Sequence, residues 1–240
     1  MSSPRPSRST ALLALLALAA CAVEPSSDGL DEPGASPDAR EDTGTATDTA
    51  PETDDRPAVA FLGNSLTAGL GVDPRASFPA LVQDRLDAAG LAFRVVNAGV
   101  SGETTAGGLR RVDRLLDSDP AVLVVALGGN DALRGVPPSQ VADNLRAIVR
   151  RARARDPGPT VVLAGMLAPP NMGRSYADAF AYVYPEVARE TGAILIPFLL
   201  ENVAADPALN QADGIHPNAA GHAVIAETVW GSLEPLLRDR

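Results

Sequence analysis

The sequence predicts an α/β fold, a three-layer α/β/α sandwich around a five-stranded, mainly parallel sheet. Short β-branched or aliphatic runs alternate with longer stretches of helical period, which is typical of parallel strands joined by crossover helices. The predicted strands span residues 59–63, 93–98, 122–127, 160–164 and 193–197. In such a sheet, ligands bind at the carboxyl ends of the strands, so the residues that follow each strand are the first candidates for a site.

Apolar stripes predict the helices between these strands. Residues spaced at i, i+3 or i+4, i+7 and i+8 fall on one helix face. One stripe follows the first strand and another follows the third: Phe78, Leu81, Val82 and Leu86, then Val141, Leu145, Ile148 and Val149. The final helix is predicted over about residues 218–237, with an inward face made of Val224, Ile225, Thr228, Val229 and Leu233.

Charge and composition divide the 240 residues into three segments. In residues 1–20, two arginines precede the apolar run 11–20, which is too short to cross a bilayer and is typical of an export signal. Residues 21–57 carry 11 acidic residues against two arginines and almost no large apolar side chain, which predicts a disordered acidic tether. Residues 58–240 are long enough for one domain with its own core.

Cys21 stands at the end of the predicted signal, directly after Leu18-Ala19-Ala20. This stretch resembles the lipobox of bacterial lipoproteins, in which cleavage precedes a cysteine that is then acylated. The resemblance implies that the exported protein is lipid-anchored to the bacterial cell envelope, at the periplasmic face or the cell surface. A non-lipidated signal with a chance cysteine is the alternative.

The composition also excludes several classes of function. A formal net charge of −10 disfavours a nucleic-acid partner. One cysteine cannot build a disulfide framework or a cysteine-based zinc site, and two histidines make a histidine-rich metal centre improbable. We therefore predict no metal centre of these kinds, and the chemistry inferred below implies no cofactor.

Ser65 lies in the turn after the first predicted strand, in Gly63-Asn64-Ser65-Leu66-Thr67. A serine at a tight strand-to-helix turn presents its hydroxyl at the sheet edge and leaves its own N–H free at the helix start. The alternative is that Ser65 only caps that helix.

Asp213 precedes His216 by three residues in Asp213-Gly214-Ile215-His216-Pro217. Within one turn, such a carboxylate can accept the Nδ1 proton of the histidine, and Nε2 then points at a third group. This is the orienting residue and the base of a catalytic triad. Two alternatives remain. The pair could bind a metal, for which His222 is the only other histidine available as a ligand, or Asp213 could cap a helix beside a surface histidine.

Two further loops hold hydrogen-bond donors where the sheet predicts a site. Gly102 follows the second strand and can bring a bare backbone N–H close to a ligand, while Asn130 follows the third strand and carries a side-chain amide. Both suit an oxyanion hole, although both also occur in ordinary turns. The Gly-x-Gly-x-x-Gly spacing of dinucleotide loops is absent after the first strand.

These four segments resemble the four sequence blocks of the GDSL or SGNH hydrolases. The chain from about residue 58 to 237 resembles their thioesterase, lysophospholipase and arylesterase branch, notably in the stretches 127–131, 174–180 and 213–218. The resemblance implies the flavodoxin-like SGNH hydrolase fold and a serine nucleophile. It makes Ser65 that nucleophile, His216 and Asp213 its partners, and the Ser65 N–H, Gly102 and Asn130 the oxyanion donors. Asn64 departs from the pattern, because the first block of the family usually has Asp there.

The sequence thus predicts a serine esterase that hydrolyses carboxylic ester or thioester bonds of small acyl or aryl esters or of lysophospholipids. We expect a monomer whose acyl pocket is bordered by residues 166–176. One alternative is an O-acetyl esterase acting on cell-wall or exported polysaccharide. Another, from a different class, is a non-catalytic binding module on the same fold, which the complete set of five site residues disfavours.

Overall fold

The computed structural model describes residues 54–240. The predictions made for the signal at 1–20, for lipidation of Cys21 and for most of the tether lie outside these residues. Within 54–240, no helix has both the length and the apolar character needed to cross a membrane.

Five strands form one sheet in the order β2-β1-β3-β4-β5. They are β1 (Ala58–Gly63), β2 (Arg94–Gly99), β3 (Val122–Ala126), β4 (Thr160–Ala164) and β5 (Ile194–Ile196). All four pairings are parallel, and in register Gly63 lies beside Gly99 and Ala126. The carboxyl ends of the three strands that precede the candidate residues are therefore direct neighbours.

Eight helices flank these strands within the described part of the chain, and the last of them follows β5. They are α1 (Ser65–Ala68), α2 (Phe78–Ala88), α3 (Thr105–Leu116), α4 (Gly129–Leu133), α5 (Pro138–Arg153), α6 (Arg174–Ala181), α7 (Val183–Thr191) and α8 (Ala219–Arg238). Short 3-10 turns lie at Pro74–Ala76 and Pro170–Met172. Helices α2 and α8 pack on each other, and α5 packs between α3 and α7, so the sheet lies between two helical layers.

The two central strands, β1 and β3, form the middle of the hydrophobic core. Every residue of β1 and β3 is buried, and both strands are nearly continuous aliphatic runs, as expected where helices cover both faces of a parallel sheet. The edge strand β2 is only partly buried and carries polar residues such as Asn97. The candidate site forms at the carboxyl edge of the sheet, where these two buried strands end.

The α/β/α fold and the five predicted strands are confirmed, with ends that differ by at most one residue. The sheet is wholly parallel rather than mainly parallel. On α8, Ile225, Val229 and Leu233 are buried as predicted, but Val224 and Thr228 are only half-buried, because the buried face is shifted toward Ala226 and Trp230.

The chain already contacts the domain just before β1. The Arg94 backbone N–H donates to the Pro57 carbonyl at 3.0 Å, and the Arg94 side chain donates to the Arg56 carbonyl at 3.1 Å. The guanidinium of Arg56 also pairs with Asp87 of α2. The last two residues before β1 are therefore held against β2 and α2.

Candidate active site

Ser65 is the first residue of α1 and is separated from the end of β1 by Asn64 alone. The side chain of Asn64 caps this helix by accepting the Leu66 N–H at 3.0 Å, and it is itself buried. Ser65 is 7% exposed, so its hydroxyl lies just below the surface at the carboxyl edge of the sheet. Asn64, not Ser65, provides the capping group, which removes the alternative that Ser65 is present as a cap.

Asp213 and His216 form the local pair that their spacing predicts. The His216 ring lies with Nδ1 at 2.7 Å from Asp213 Oδ2, and the other carboxylate oxygen accepts the N–H groups of Ile215 at 2.9 Å and His216 at 3.0 Å. These donors hold the pKa of Asp213 well below its usual range, the backbone N–H of His216 contributing most. The carboxylate stays charged and keeps the Nδ1–H tautomer of the imidazole, leaving Nε2 free to accept a proton.

His216 Nε2 lies 3.0 Å from the Ser65 hydroxyl oxygen. The two residues are 151 positions apart in sequence, and the fold brings them within hydrogen-bond distance. A continuous line of hydrogen bonds thus runs from the Asp213 carboxylate through the imidazole to the Ser65 hydroxyl. In this arrangement the serine can lose its proton to a neutral base as it attacks an electrophile.

Gln211 ties the loop that carries His216 to the segment after α1. Its backbone N–H donates to the His216 carbonyl at 2.7 Å, and its side chain donates to the Leu70 carbonyl at 2.7 Å and the Pro217 carbonyl at 2.9 Å. Sequence reasoning missed this residue, because a glutamine in a loop carries no distinctive signal. Its contacts fix the histidine relative to the helix that begins with Ser65.

Gly102 and Asn130 lie at the same edge of the sheet. Gly102 has a φ of +79°, a backbone conformation that favours glycine. Among residues 54–240, no acceptor takes the N–H of Gly102 or of Ser65. One hydrogen of the Asn130 amide goes to the Glu103 carbonyl at 3.0 Å, which leaves the second for a ligand.

Asp131 is a further residue of this edge that the sequence did not assign. It is buried, and its carboxylate accepts the Thr105 N–H at 2.9 Å and the Thr105 hydroxyl at 2.7 Å. Asn144 of α5 donates to the same hydroxyl at 3.0 Å. The carboxylate joins α4 to the start of α3, next to Asn130. The only signal for Asp131 in the sequence is that a charged residue directly follows Asn130.

The segment 166–176 approaches α4 at Gly129, the residue before Asn130. Met166 is buried against Gly129, so close that a β-carbon added to that glycine would lie 3.1 Å from Met166 Cε. The Tyr176 hydroxyl donates to the Val136 carbonyl at 2.7 Å. The part of the chain described holds no group of three or more metal-ligating side chains. His222, which the metal alternative needed, instead accepts the Phe78 N–H at 3.2 Å.

The model of the GDSL-like lipase/acylhydrolase family matches residues 61–224. The chain belongs to this family. It is 46% identical over 177 residues to the esterase TesA of Pseudomonas aeruginosa, covering 73% of this chain and 87% of that one. It is 40% identical over 178 residues to thioesterase 1/protease 1/lysophospholipase L1 of Escherichia coli, covering 74% and 83%. The family resemblance noted in the sequence is thereby confirmed.

A solved structure shows the same architecture. The crystal structure of TesA superposes with a TM-score of 0.72 at 44% identity, and the match covers 75% of this chain and 99% of that chain. The match therefore spans nearly the whole of that fold.

Proposed function

We propose that this member of the family is a serine esterase in which Ser65 is the nucleophile, His216 the general base and Asp213 the residue that orients the base. The observation that carries the proposal is the line of hydrogen bonds from Asp213 Oδ2 through His216 to Ser65 Oγ, at 2.7 and 3.0 Å. A serine with no base is a poor nucleophile, and this one has an imidazole within hydrogen-bond distance that a carboxylate holds in place.

The proposed reaction has two steps. Ser65 Oγ attacks the carbonyl carbon as its proton moves to His216 Nε2, and a tetrahedral intermediate with a negatively charged oxygen forms. His216 then donates that proton to the departing alkoxide or thiolate, leaving an acyl group on Ser65. A water molecule, deprotonated in turn by His216, attacks this acyl group and restores the serine.

Three donors are proposed to stabilise the negative oxygen: the N–H of Ser65, the N–H of Gly102 and the second hydrogen of the Asn130 amide. The two backbone groups have no acceptor among residues 54–240, and all three follow neighbouring strands. Donors that are already oriented before the reaction need no rearrangement when the charge develops. Asn130→Ala should lower kcat by about 10² to 10³ with the fold retained. A near-normal kcat would remove Asn130 from the oxyanion hole.

The proposed substrates are carboxylic esters and thioesters with small acyl or aryl groups, or lysophospholipids. The relatives named esterase and thioesterase 1/protease 1/lysophospholipase L1 support this range. Residues 166–176, which approach Gly129 through Met166, are proposed to border the acyl pocket. A panel of esters and thioesters with acyl chains from about two to sixteen carbons tests the range. Activity on acetyl esters alone would favour an O-acetyl esterase instead.

A fluorophosphonate probe tests the nucleophile. We expect it to label Ser65, and Ser65→Ala to remove both labelling and turnover, a loss on the order of 10⁴ to 10⁶ in rate. Ser139→Ala, at an exposed position of α5, is the control and should keep both. A label that maps to Ser101 or Ser175 would show that the assignment is wrong, and absence of any label would favour a binding module.

We further propose that the protein is exported and anchored to the cell envelope by a lipid on Cys21. The support is that the only cysteine of the chain lies where the lipobox-like stretch places it. Cys21→Ser should abolish incorporation of labelled fatty acid and leave the protein unprocessed or soluble without detergent. Unchanged membrane fractionation of a correctly processed Cys21→Ser variant would refute the anchor.

A further inference from the structure

The guanidinium of Arg111, in the middle of α3, lies between the carboxyl ends of two strands. Its Nη2 donates to the Ala98 carbonyl of β2 at 2.7 Å and to the Gly63 carbonyl of β1 at 3.2 Å. Gly63 comes two residues before Ser65, and Ala98 comes four residues before Gly102. One rigid side chain therefore joins the turn of the nucleophile to the loop of a proposed oxyanion donor.

The same guanidinium pairs with the carboxylate of Glu103. Nε of Arg111 lies 2.8 and 2.9 Å from the two carboxylate oxygens, and Nη2 contacts one of them as well. The side chains are only 26% and 9% exposed, so solvent screens this pair less than a surface ion pair. A planar guanidinium that holds both oxygens of a carboxylate fixes orientation as well as distance.

Glu103 in turn contacts the proposed oxyanion donors through its backbone. Its carbonyl accepts the Asn130 amide at 3.0 Å, and its N–H donates to the Val100 carbonyl at 3.1 Å, closing the turn that contains Gly102. The helix makes room for this arrangement at Gly107, where a β-carbon would lie 2.7 Å from Glu103 Cγ. Glu103 therefore links two donors directly and the third through Arg111.

We propose that Arg111 and Glu103 are positioning residues, which set the relative positions of the three oxyanion donors without touching the substrate. The inference rests on the oxyanion hole proposed above and extends it to a layer behind the donors. Stabilisation of a developing charge depends on donor positions to a fraction of an ångström, and a shift of about 1 Å can cost about 10² in rate. Removing the pair frees both loops to move relative to each other.

The competing explanation is that the pair only stabilises the fold, and Arg146 provides the matched control. Its guanidinium is 22% exposed and pairs with Asp143, Glu186 and Glu190 of α5 and α7. It thus resembles Arg111 in exposure and charge pairing but contacts no loop that carries a site residue. A purely structural role predicts similar behaviour for the two arginines, whereas a positioning role does not.

The experiment compares Arg111→Met, Arg111→Lys and the control Arg146→Met by kcat, KM and circular dichroism. We expect Arg111→Met to lower kcat by 10- to 100-fold with KM within about twofold, because donors to the developing charge act mainly in the transition state. Arg111→Lys keeps the charge but not the planar fork, and should lose about tenfold. Arg146→Met should keep the parent kcat. The inhibition constant of an alkyl boronic acid, which forms a tetrahedral adduct with the serine, should weaken in step with kcat.

Combination with Asn130→Ala separates the possible failures. If Arg111 acts through the oxyanion hole, Arg111→Met should cost less in the Asn130→Ala background than in the parent. A folded Arg111→Met variant with parent kcat, or losses that simply multiply, would overturn the inference while leaving the proposed function intact. If Asn130→Ala alone leaves kcat unchanged, the result refutes the oxyanion hole of the proposed function and not only the positioning role of Arg111.

A second perturbation covers the case in which Arg111→Met does not fold. Gly107→Ala displaces the Glu103 side chain without removing either charge, and Gly231→Ala, in α8 with nothing within 4 Å of the added carbon, is its control. We expect kcat to fall at least tenfold in Gly107→Ala and to stay unchanged in Gly231→Ala. Equal kcat in the two glycine variants would overturn the inference.

Discussion

Protonation of His222 is expected to destabilise this fold in mild acid. The residue lies in the first turn of α8, is 1% exposed, and stacks on Phe78 with ring centroids 6.2 Å apart. Its Nδ1 accepts the Phe78 N–H at 3.2 Å, which only an unprotonated nitrogen can do. Burial, with a smaller contribution from the charge of His216, lowers the pKa of His222 to about 4 from an ordinary value of 6.5.

The sign and size of the effect follow from these two pKa values. Between them the unfolded chain binds the proton and the folded protein does not, so the free energy of unfolding falls as pH decreases through this range. Above about pH 6.5 the contribution is constant, and below about pH 4 it has been lost. At about 1.4 kcal/mol per pH unit, the loss amounts to roughly 3 kcal/mol, a large part of the 5 to 15 kcal/mol typical of a domain.

Urea unfolding at a series of pH values, from about 7.5 to about 4, measures this loss in the parent and in His222→Gln. Glutamine does not titrate, and the carboxylates protonate alike in both proteins, so they cancel in the difference between the two curves. We expect the variant to be less stable at neutral pH and the gap to close by roughly 3 kcal/mol toward pH 4. Parallel curves over the whole range would refute the reasoning.

Three further predictions concern the site and its support. Asp213→Asn should lower kcat by about 10⁴, because the amide no longer holds the His216 tautomer; pre-steady-state kinetics on a folded variant checks this, and a loss under tenfold would contradict it. Asn64→Asp should keep the cap and add a negative charge one residue from Ser65; because such a charge favours the protonated form of a nearby base, the acidic limb of kcat/KM should move to higher pH, and a limb that stays in place would contradict it. Gly99→Ala should destabilise the protein by about 1 to 3 kcal/mol, since the new carbon would lie 2.3 Å from a backbone nitrogen of α1, whereas Gly231→Ala should stabilise it by roughly 0.5 to 1 kcal/mol in thermal unfolding. Equal melting temperatures for these two glycine variants would contradict the steric argument.

The local sequence pattern was sufficient to predict the secondary structure and part of the candidate site. Strands β1 and β3 are buried on both faces, and their apolar runs of six and five residues are too short for a typical buried helix, so length and the flanking residues predict their limits. The contact between Asp213 and His216 spans three residues, which is within the reach of a single turn. Interactions of this kind depend on chain neighbours and are therefore visible in the sequence.

The networks that hold the site together could not be predicted in this way. The order of the strands brings Gly63, Ala98 and the end of β3 side by side, and only then can Arg111 reach two strand ends and Glu103 together. In the sequence, Arg111 is one charge among several on α3, and helical periodicity says only which face is buried.

The amino-acid sequence by itself determined the elements, the edge of the sheet where chemistry can occur, and the residue types available there. Tertiary structure decided the contact between Ser65 and His216, the burial that lowers the pKa of His222, and the ion pair behind the proposed oxyanion donors. The physical reason is the distance along the chain over which each interaction acts. Backbone preference and hydrophobic period act over a few residues, whereas hydrogen bonds between loops and the desolvation of a side chain depend on segments that only the packed core brings together.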